Sequence, residues 1–71
     1  MEMVEKRIEL NKALKNEEGR RTTNGLLKEY RELIKEEGFE YGFINNKESV
    51  YKKENDNVII FDEETCKFNK L

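Results

Sequence analysis

The sequence has no histidine, no proline and no tryptophan, and it contains one cysteine and four glycines. Histidine is the usual general base near neutral pH and the commonest metal ligand, so its absence excludes the Ser–His and Cys–His arrangements of nucleophilic catalysis. The four glycines form neither a dinucleotide-binding nor a P-loop pattern. The sequence therefore predicts a protein that is not an enzyme and that uses no cofactor or metal.

The single cysteine, Cys66, has no second cysteine with which to form an internal disulfide. It alternates with Phe68 as residues on one face of a strand do, which favours a small buried apolar side chain over a reactive thiol. A chain without disulfides fits a reducing compartment. We therefore expect a cytoplasmic protein.

Long apolar runs are also missing. The longest spans residues 58–61, whereas a membrane helix needs about 20 apolar residues, so no membrane partner is expected. The N-terminal sequence MEMVEKRIEL is acidic and interrupted, which is not typical of a secretory signal. Charged residues make up 42% of the 71 residues, but the net charge is only −2 and seven aromatic residues are available for burial. These features predict a single folded domain over residues 1–71.

Two helices are predicted in the first half. Residues 3–18 are nearly all good helix formers with a loose apolar stripe, and Gly19 is a natural helix stop. Apolar residues also alternate over 3–10, which leaves a strand open as an alternative there, although β-branched residues are few.

The second helix is predicted over residues 25–37, and Gly38 ends it. The polar residues 20–24 predict a turn before it, with Thr23 or Asn24 as the N-cap. Its apolar residues recur at helical spacing on one face, which predicts burial of that face. They are Leu26, Leu27, Tyr30, Leu33 and Ile34.

After Gly38 the apolar period changes from 3.6 to 2, which predicts strands. Asn45-Asn46 suits a tight hairpin turn, because asparagine tolerates positive φ. Residues 58–61 are apolar on both faces, so they are expected to form a central strand covered on both sides. The strands are predicted at about 39–44, 48–53, 57–62 and 65–69. The fold class is therefore α+β, with two N-terminal helices packed on a three- to four-stranded antiparallel β meander.

Alternation along the first strand gives it an aromatic face. Phe39, Tyr41 and Phe43 are expected to form part of the core beneath the second helix.

Acidic residues concentrate at the helix ends and near the C-terminus. Both predicted helices end in Glu-Glu-Gly, although anions are unfavourable at a helix C-terminus. A metal ion on Asp62 and Glu64 is disfavoured because the spacing of an EF-hand is missing. The acidic residues instead suggest a contact surface for a protein partner with a basic surface, with a tyrosine as its anchor. The candidate protein-binding residues are Glu36, Glu37, Tyr51, Asp62, Glu63 and Glu64.

Basic residues near aromatic ones give an alternative interface. Aromatic rings on a sheet can stack on bases while basic neighbours hold phosphates. The candidate nucleic-acid-binding residues are Arg20, Arg21, Lys47, Lys52 and Lys53.

Small size, acidic balance and missing catalytic chemistry favour a protein-binding, regulatory module. This profile is similar to that of phage or mobile-element accessory proteins that inhibit host defence proteins, such as anti-CRISPR-type inhibitors, and the similarity involves no motif. The alternative is a small dimeric nucleic-acid-binding regulator, and a third interpretation is a structural role in self-association. A symmetric homodimer would cover the apolar residues that two short helices leave open.

Overall fold

The computed structural model describes all 71 residues as two helices followed by four strands. The helices are α1 (Glu2–Lys15) and α2 (Arg20–Glu36). The strands are β1 (Glu40–Ile44), β2 (Lys47–Glu54), β3 (Asn57–Asp62) and β4 (Lys67–Lys70), and they form one antiparallel sheet in the order β1-β2-β3-β4. The predicted α+β class is confirmed. The chain divides into two compact units, Met1–Glu37 and Gly38–Leu71.

In the helical unit, residues 3–10 belong to α1, so the helix and not the strand is confirmed there. The predicted stripe of α2 is also confirmed, because Tyr30 and Ile34 are fully buried and its three leucines are partly buried. The two helices are joined by polar contacts as well. Lys6 Nζ lies 2.8 Å from a carboxylate oxygen of Glu29, and the guanidinium of Arg7 lies 5.3 Å from the ring centre of Tyr30.

The end of α1 differs from the prediction that the helix reaches residue 18. Glu17 takes the left-handed conformation, with φ 54°, and donates its N–H to the carbonyl of Leu14. The N–H of Glu18 bonds to the carbonyl of Ala13, which completes a Schellman motif. A non-glycine residue thus ends α1 two positions before the expected stop at Gly19.

Gly19 instead caps the start of α2. It is extended, with φ −58° and ψ 156°, and its carbonyl accepts the N–H of Thr23. The predicted turn over residues 20–24 is therefore wrong, because these residues form the first turns of α2. The predicted N-cap role of Thr23 or Asn24 is wrong for the same reason. The Thr23 hydroxyl bonds back to the carbonyls of Gly19 and Arg20. The other end of α2 agrees with the prediction, since Gly38 follows it with φ 82°.

The two faces of the sheet differ in burial. We call one the Phe61 face, because the buried Val50 and Phe61 lie opposite each other on it. The rings of Phe61 and Phe68 are 5.0 Å apart, and those of Phe39 and Phe68 are 5.8 Å apart. Phe39 and Phe61 are buried and belong to the core of the strand unit, whereas Phe68, between them, is partly exposed. The Phe61 face consists of Tyr41, Phe43, Glu48, Val50, Lys52, Glu54, Asn57, Ile59, Phe61, Phe68 and Lys70.

The first strand corrects one expectation about the core. Phe39 is buried, but Tyr41 is 40% exposed and Phe43 is 77% exposed, so these two are not core residues. The physical reason is the position of β1 at the edge of the sheet, where Phe43 lies opposite the charged Glu48. The apolar β3 does lie between two other strands, as predicted, although only Phe61 of its apolar residues is fully buried.

The two-residue turn between β1 and β2 fixes which residues of these strands lie opposite each other. Asn45 and Asn46 both have positive φ, 53° and 65°, as a type I′ hairpin turn requires. The turn after β3 is longer, and Cys66 within it has φ 57° and donates its N–H to the carbonyl of Asp62. Cys66 is therefore a half-buried turn residue, and neither its predicted place in a strand nor its predicted full burial is found.

Replacing Gly25 by alanine should stabilise the protein. Gly25 is exposed inside α2, and a methyl group there would meet nothing within 4 Å. Alanine loses less backbone entropy on folding, so we expect a gain of about 0.5–1 kcal/mol in the free energy of unfolding, measured by urea denaturation.

Gly19→Ala is the matched control, because this site is equally open but is the N-cap of α2. Alanine is a poor N-cap, so the control should be neutral or slightly destabilising. Equal gains from both variants would contradict the explanation.

Candidate interaction surfaces

The second face of the sheet carries two of the residues that the sequence marks for protein binding, Tyr51 and Asp62. We call it the Tyr51 face, and it is set by the alternation of side chains along paired strands. Its central row is Glu40, Tyr51, Ile60 and Asn69, and Ser49 and Asp62 follow in the next row. The whole face consists of Glu40, Gly42, Ile44, Lys47, Ser49, Tyr51, Lys53, Val58, Ile60, Asp62, Lys67 and Asn69.

A groove of about 390 Å³ lies along this face. Partly buried Ile44 and Ile60 line it together with Leu71, which is 67% exposed. Carboxylates border the same groove in the turn after β3, which we call the acidic loop (Asp62, Glu63 and Glu64). The groove thus combines apolar side chains with a border in which three loop carboxylates outnumber the single ammonium of Lys47.

Tyr51 is held in a fixed position on this face. Its ring lies over Gly42 on the neighbouring strand, where an added Cβ atom would come within 2.6 Å of the ring. Its hydroxyl donates a hydrogen bond to the carboxylate of Glu40. That hydrogen bond, with the negative charge of Glu40, raises the pKa of the Tyr51 phenol above its ordinary value. A side chain at position 42 would therefore displace the Tyr51 ring from this position.

Asp62 has a structural role within the acidic loop. Its Oδ1 accepts the backbone N–H of Glu64 at 2.9 Å and that of Thr65 at 3.3 Å. These hydrogen bonds, and next the charge of Lys47, lower the pKa of the Asp62 carboxyl. Asp62 therefore shapes the loop, whereas Glu64 is exposed and Glu63 is half-buried.

The other predicted acidic residues lie in the helical unit. Glu36 is the last residue of α2 and is exposed, while Glu37 is its C-cap and is half-buried. They belong to a different unit from Tyr51 and the acidic loop. The structure therefore brings together only Tyr51, Asp62, Glu63 and Glu64 as members of one unit.

The predicted basic residues separate into three places. Lys47 and Lys53 lie on the Tyr51 face, whereas Lys52 lies on the Phe61 face with its Nζ 5.7 Å from the ring centre of Phe39. Arg20 and Arg21 lie in the first turn of α2. A single surface built from the three hairpin lysines is therefore not found, because alternation along β2 turns Lys52 away from the other two.

One charged surface of α2 is not among the sites predicted from the sequence. All the basic residues of α2 fall on one side of the helix, which we call the basic face (Arg20, Arg21, Lys28, Arg31 and Lys35). The signal that could have revealed it is helical spacing, since Arg21, Lys28 and Lys35 recur every seven residues, and Arg31 lies three residues after Lys28 and four before Lys35.

No group of three or more cysteine, aspartate or glutamate side chains is arranged to hold a metal ion. Neither helix combines the length and the apolar character that crossing a bilayer requires. Comparison with protein-family models, with curated proteins and with solved structures gives no match for this chain.

Alanine at position 42 should destabilise the sheet. The new Cβ would displace the Tyr51 ring and break its hydrogen bond to Glu40, which should cost about 0.5–1.5 kcal/mol in the free energy of unfolding. In a Tyr51→Ala background the same Gly42→Ala change should be neutral or stabilising. Urea denaturation of the four proteins checks this, and a similar cost in both backgrounds would contradict the contact.

The hydrogen bond of Tyr51 gives a pH dependence with a defined sign. Because the folded-state pKa is raised, the stabilisation is fully present below the unfolded-state pKa of about 10 and is lost as pH rises through the folded-state value. In Glu40→Gln the folded-state pKa should fall toward the ordinary value, as measured by NMR titration of labelled tyrosine rings. An unchanged Tyr51 titration in this variant would contradict the assignment.

Proposed function

We propose that this protein is a non-enzymatic binding module that recognises a protein partner through the Tyr51 face of its sheet. The observation that carries the proposal is the groove, in which Ile44, Ile60 and Leu71 lie next to the acidic loop. Exposed apolar surface with a polar border is typical of interaction sites. The partner segment that fits has apolar side chains for the groove and a lysine or arginine for the carboxylates.

Rigidity supports this choice of surface. The Tyr51 ring is fixed by Gly42 and by Glu40, and the acidic loop is fixed by the hydrogen bonds to Asp62. A surface that is ordered before binding loses less conformational entropy when the complex forms. In this proposal Tyr51 is the anchor, Glu64 and Glu63 attract the basic side chain, and Asp62 maintains the loop.

The class of partner follows from the charge. A small acidic protein that acts in the cytoplasm can bind the basic surface of a protein that handles nucleic acid, and inhibit it by occupying that surface. We therefore propose a host defence protein of this kind as the partner and a phage or mobile element as the source, in keeping with the composition of the chain.

Capture from a nuclease-treated bacterial lysate tests the proposal. The tagged wild-type protein should retain a stoichiometric partner, and Glu64→Lys combined with Leu71→Lys should weaken purified complex formation by at least about tenfold. Both side chains are exposed, so the fold should survive the change.

The matched control is Asp56→Lys combined with Asn57→Lys, which makes the same change in charge at exposed positions in and beside the turn between β2 and β3. This control should retain the partner. A loss of binding that is equal in both variants would indicate general electrostatics, and retention by both would contradict a role for the Tyr51 face. Capture that disappears with nuclease treatment would also contradict the proposal.

A further inference from the structure

The charged residues of α2 are sorted by sign around the helix axis. At about 100° per residue, the five residues of the basic face fall within an arc of about 100°. The only other residue in that arc is Asn24, and no acidic residue lies among them. The acidic residues of the helix, Glu29, Glu32 and Glu36, occupy the neighbouring arc. The third arc carries the buried Tyr30 and Ile34.

The basic face is available for binding. Each of its five side chains is exposed. The ion pairs of Lys6 with Glu9 and with Glu29 include no residue of the basic face. A groove of about 370 Å³ lies on this side of α2, and it is lined by Asn24, Leu27, Lys28, Arg31, Glu32 and Lys35.

The first turn of α2 adds an independent argument for an anionic partner. A helix N-terminus carries a partial positive charge, so acidic residues are favourable there and arginines are not. The first turn nevertheless contains Arg20 and Arg21 and no acidic residue, and the N-cap Gly19 provides no side-chain acceptor. An anion bound at this end would be attracted by both the arginines and the helix dipole.

The dimensions fit a nucleic acid duplex. From Arg20 to Lys35 the helix rises about 22 Å at 1.5 Å per residue. The major groove of B-DNA is about 12 Å wide and admits an α-helix, so basic residues at both ends and in the middle of such a helix can reach both phosphate backbones. The major groove of duplex RNA is too narrow for this contact.

We propose that α2 is a DNA-binding helix whose basic face contacts the phosphate backbones of double-stranded DNA across the major groove. Arg20 and Arg21 bind phosphates at the helix N-terminus, Lys28 and Arg31 at its centre, and Lys35 near its end. Asn24 lies on the same side, where its amide can reach the groove. This site is separate from the Tyr51 face and does not depend on the function proposed for it.

Fluorescence anisotropy with a short labelled DNA duplex at low ionic strength tests the proposal. The wild-type protein should bind, and its affinity should fall steeply with added salt because each phosphate contact releases counterions. Lys28→Gln combined with Arg31→Gln should weaken binding and reduce the slope of log affinity against log salt by about 1.8, since each contact contributes about 0.9.

The matched control is Lys12→Gln combined with Lys15→Gln, which removes the same charge from exposed positions of α1. Circular dichroism verifies that both variants remain folded. The control should bind like the wild type, and equal weakening in both variants would overturn the proposal because it would show attraction by overall charge.

Three further binding measurements distinguish DNA from other anionic ligands and the basic face from the Tyr51 face. Duplex RNA and vesicles containing phosphatidylserine should bind more weakly than duplex DNA, and equal or tighter binding to either would overturn the assignment to DNA. Absence of DNA binding at low salt would overturn it as well. The Glu64→Lys, Leu71→Lys variant should bind DNA at least as well as the wild type, so a failure at one surface is distinguishable from a failure at the other.

Discussion

The pairing of Val50 with Phe61 is the constraint on which the strand unit depends. Both side chains are buried, and they lie opposite each other on neighbouring strands. A shift of the register by one residue would move every side chain of the shifted strand to the other face, so burial of this pair fixes the register. The positions of Tyr51, Ile60 and Asp62 on the opposite face are a direct result. The candidate binding surface is thus determined by a pair of side chains that lie on the opposite face of the sheet.

The segments with strong local patterns were predictable from the sequence. The change of apolar period at Gly38 separates helix from strand, and the paired asparagines at 45 and 46 specify a two-residue turn. The apolar stripe of α2 was equally clear. In each of these places, local propensity and burial favour the same structure.

The predictions that were wrong concern residues whose type is compatible with two different structures. Gly19 suits a helix stop, but α1 already ends at Lys15, with the left-handed Glu17 after it, and Gly19 is the N-cap of α2. Phe43 has the alternation of a core residue, but the sequence does not reveal that its strand lies at the sheet edge. The basic face is not evident from the sequence because the polar residues 20–24 are typical of a turn, and only a helix that begins at Arg20 places Arg20 and Arg21 on one side with Lys28.

The topology of the chain also has a consequence for how it folds. Every strand pairs with its neighbour in sequence, through connections of two to four residues, and α1 packs against α2 across a similarly short connection. Chains whose contacts are this local lose little entropy on loop closure and fold fast for their size. During synthesis, each hairpin of the sheet can form as soon as its second strand has left the ribosome, without waiting for a distant segment of the chain.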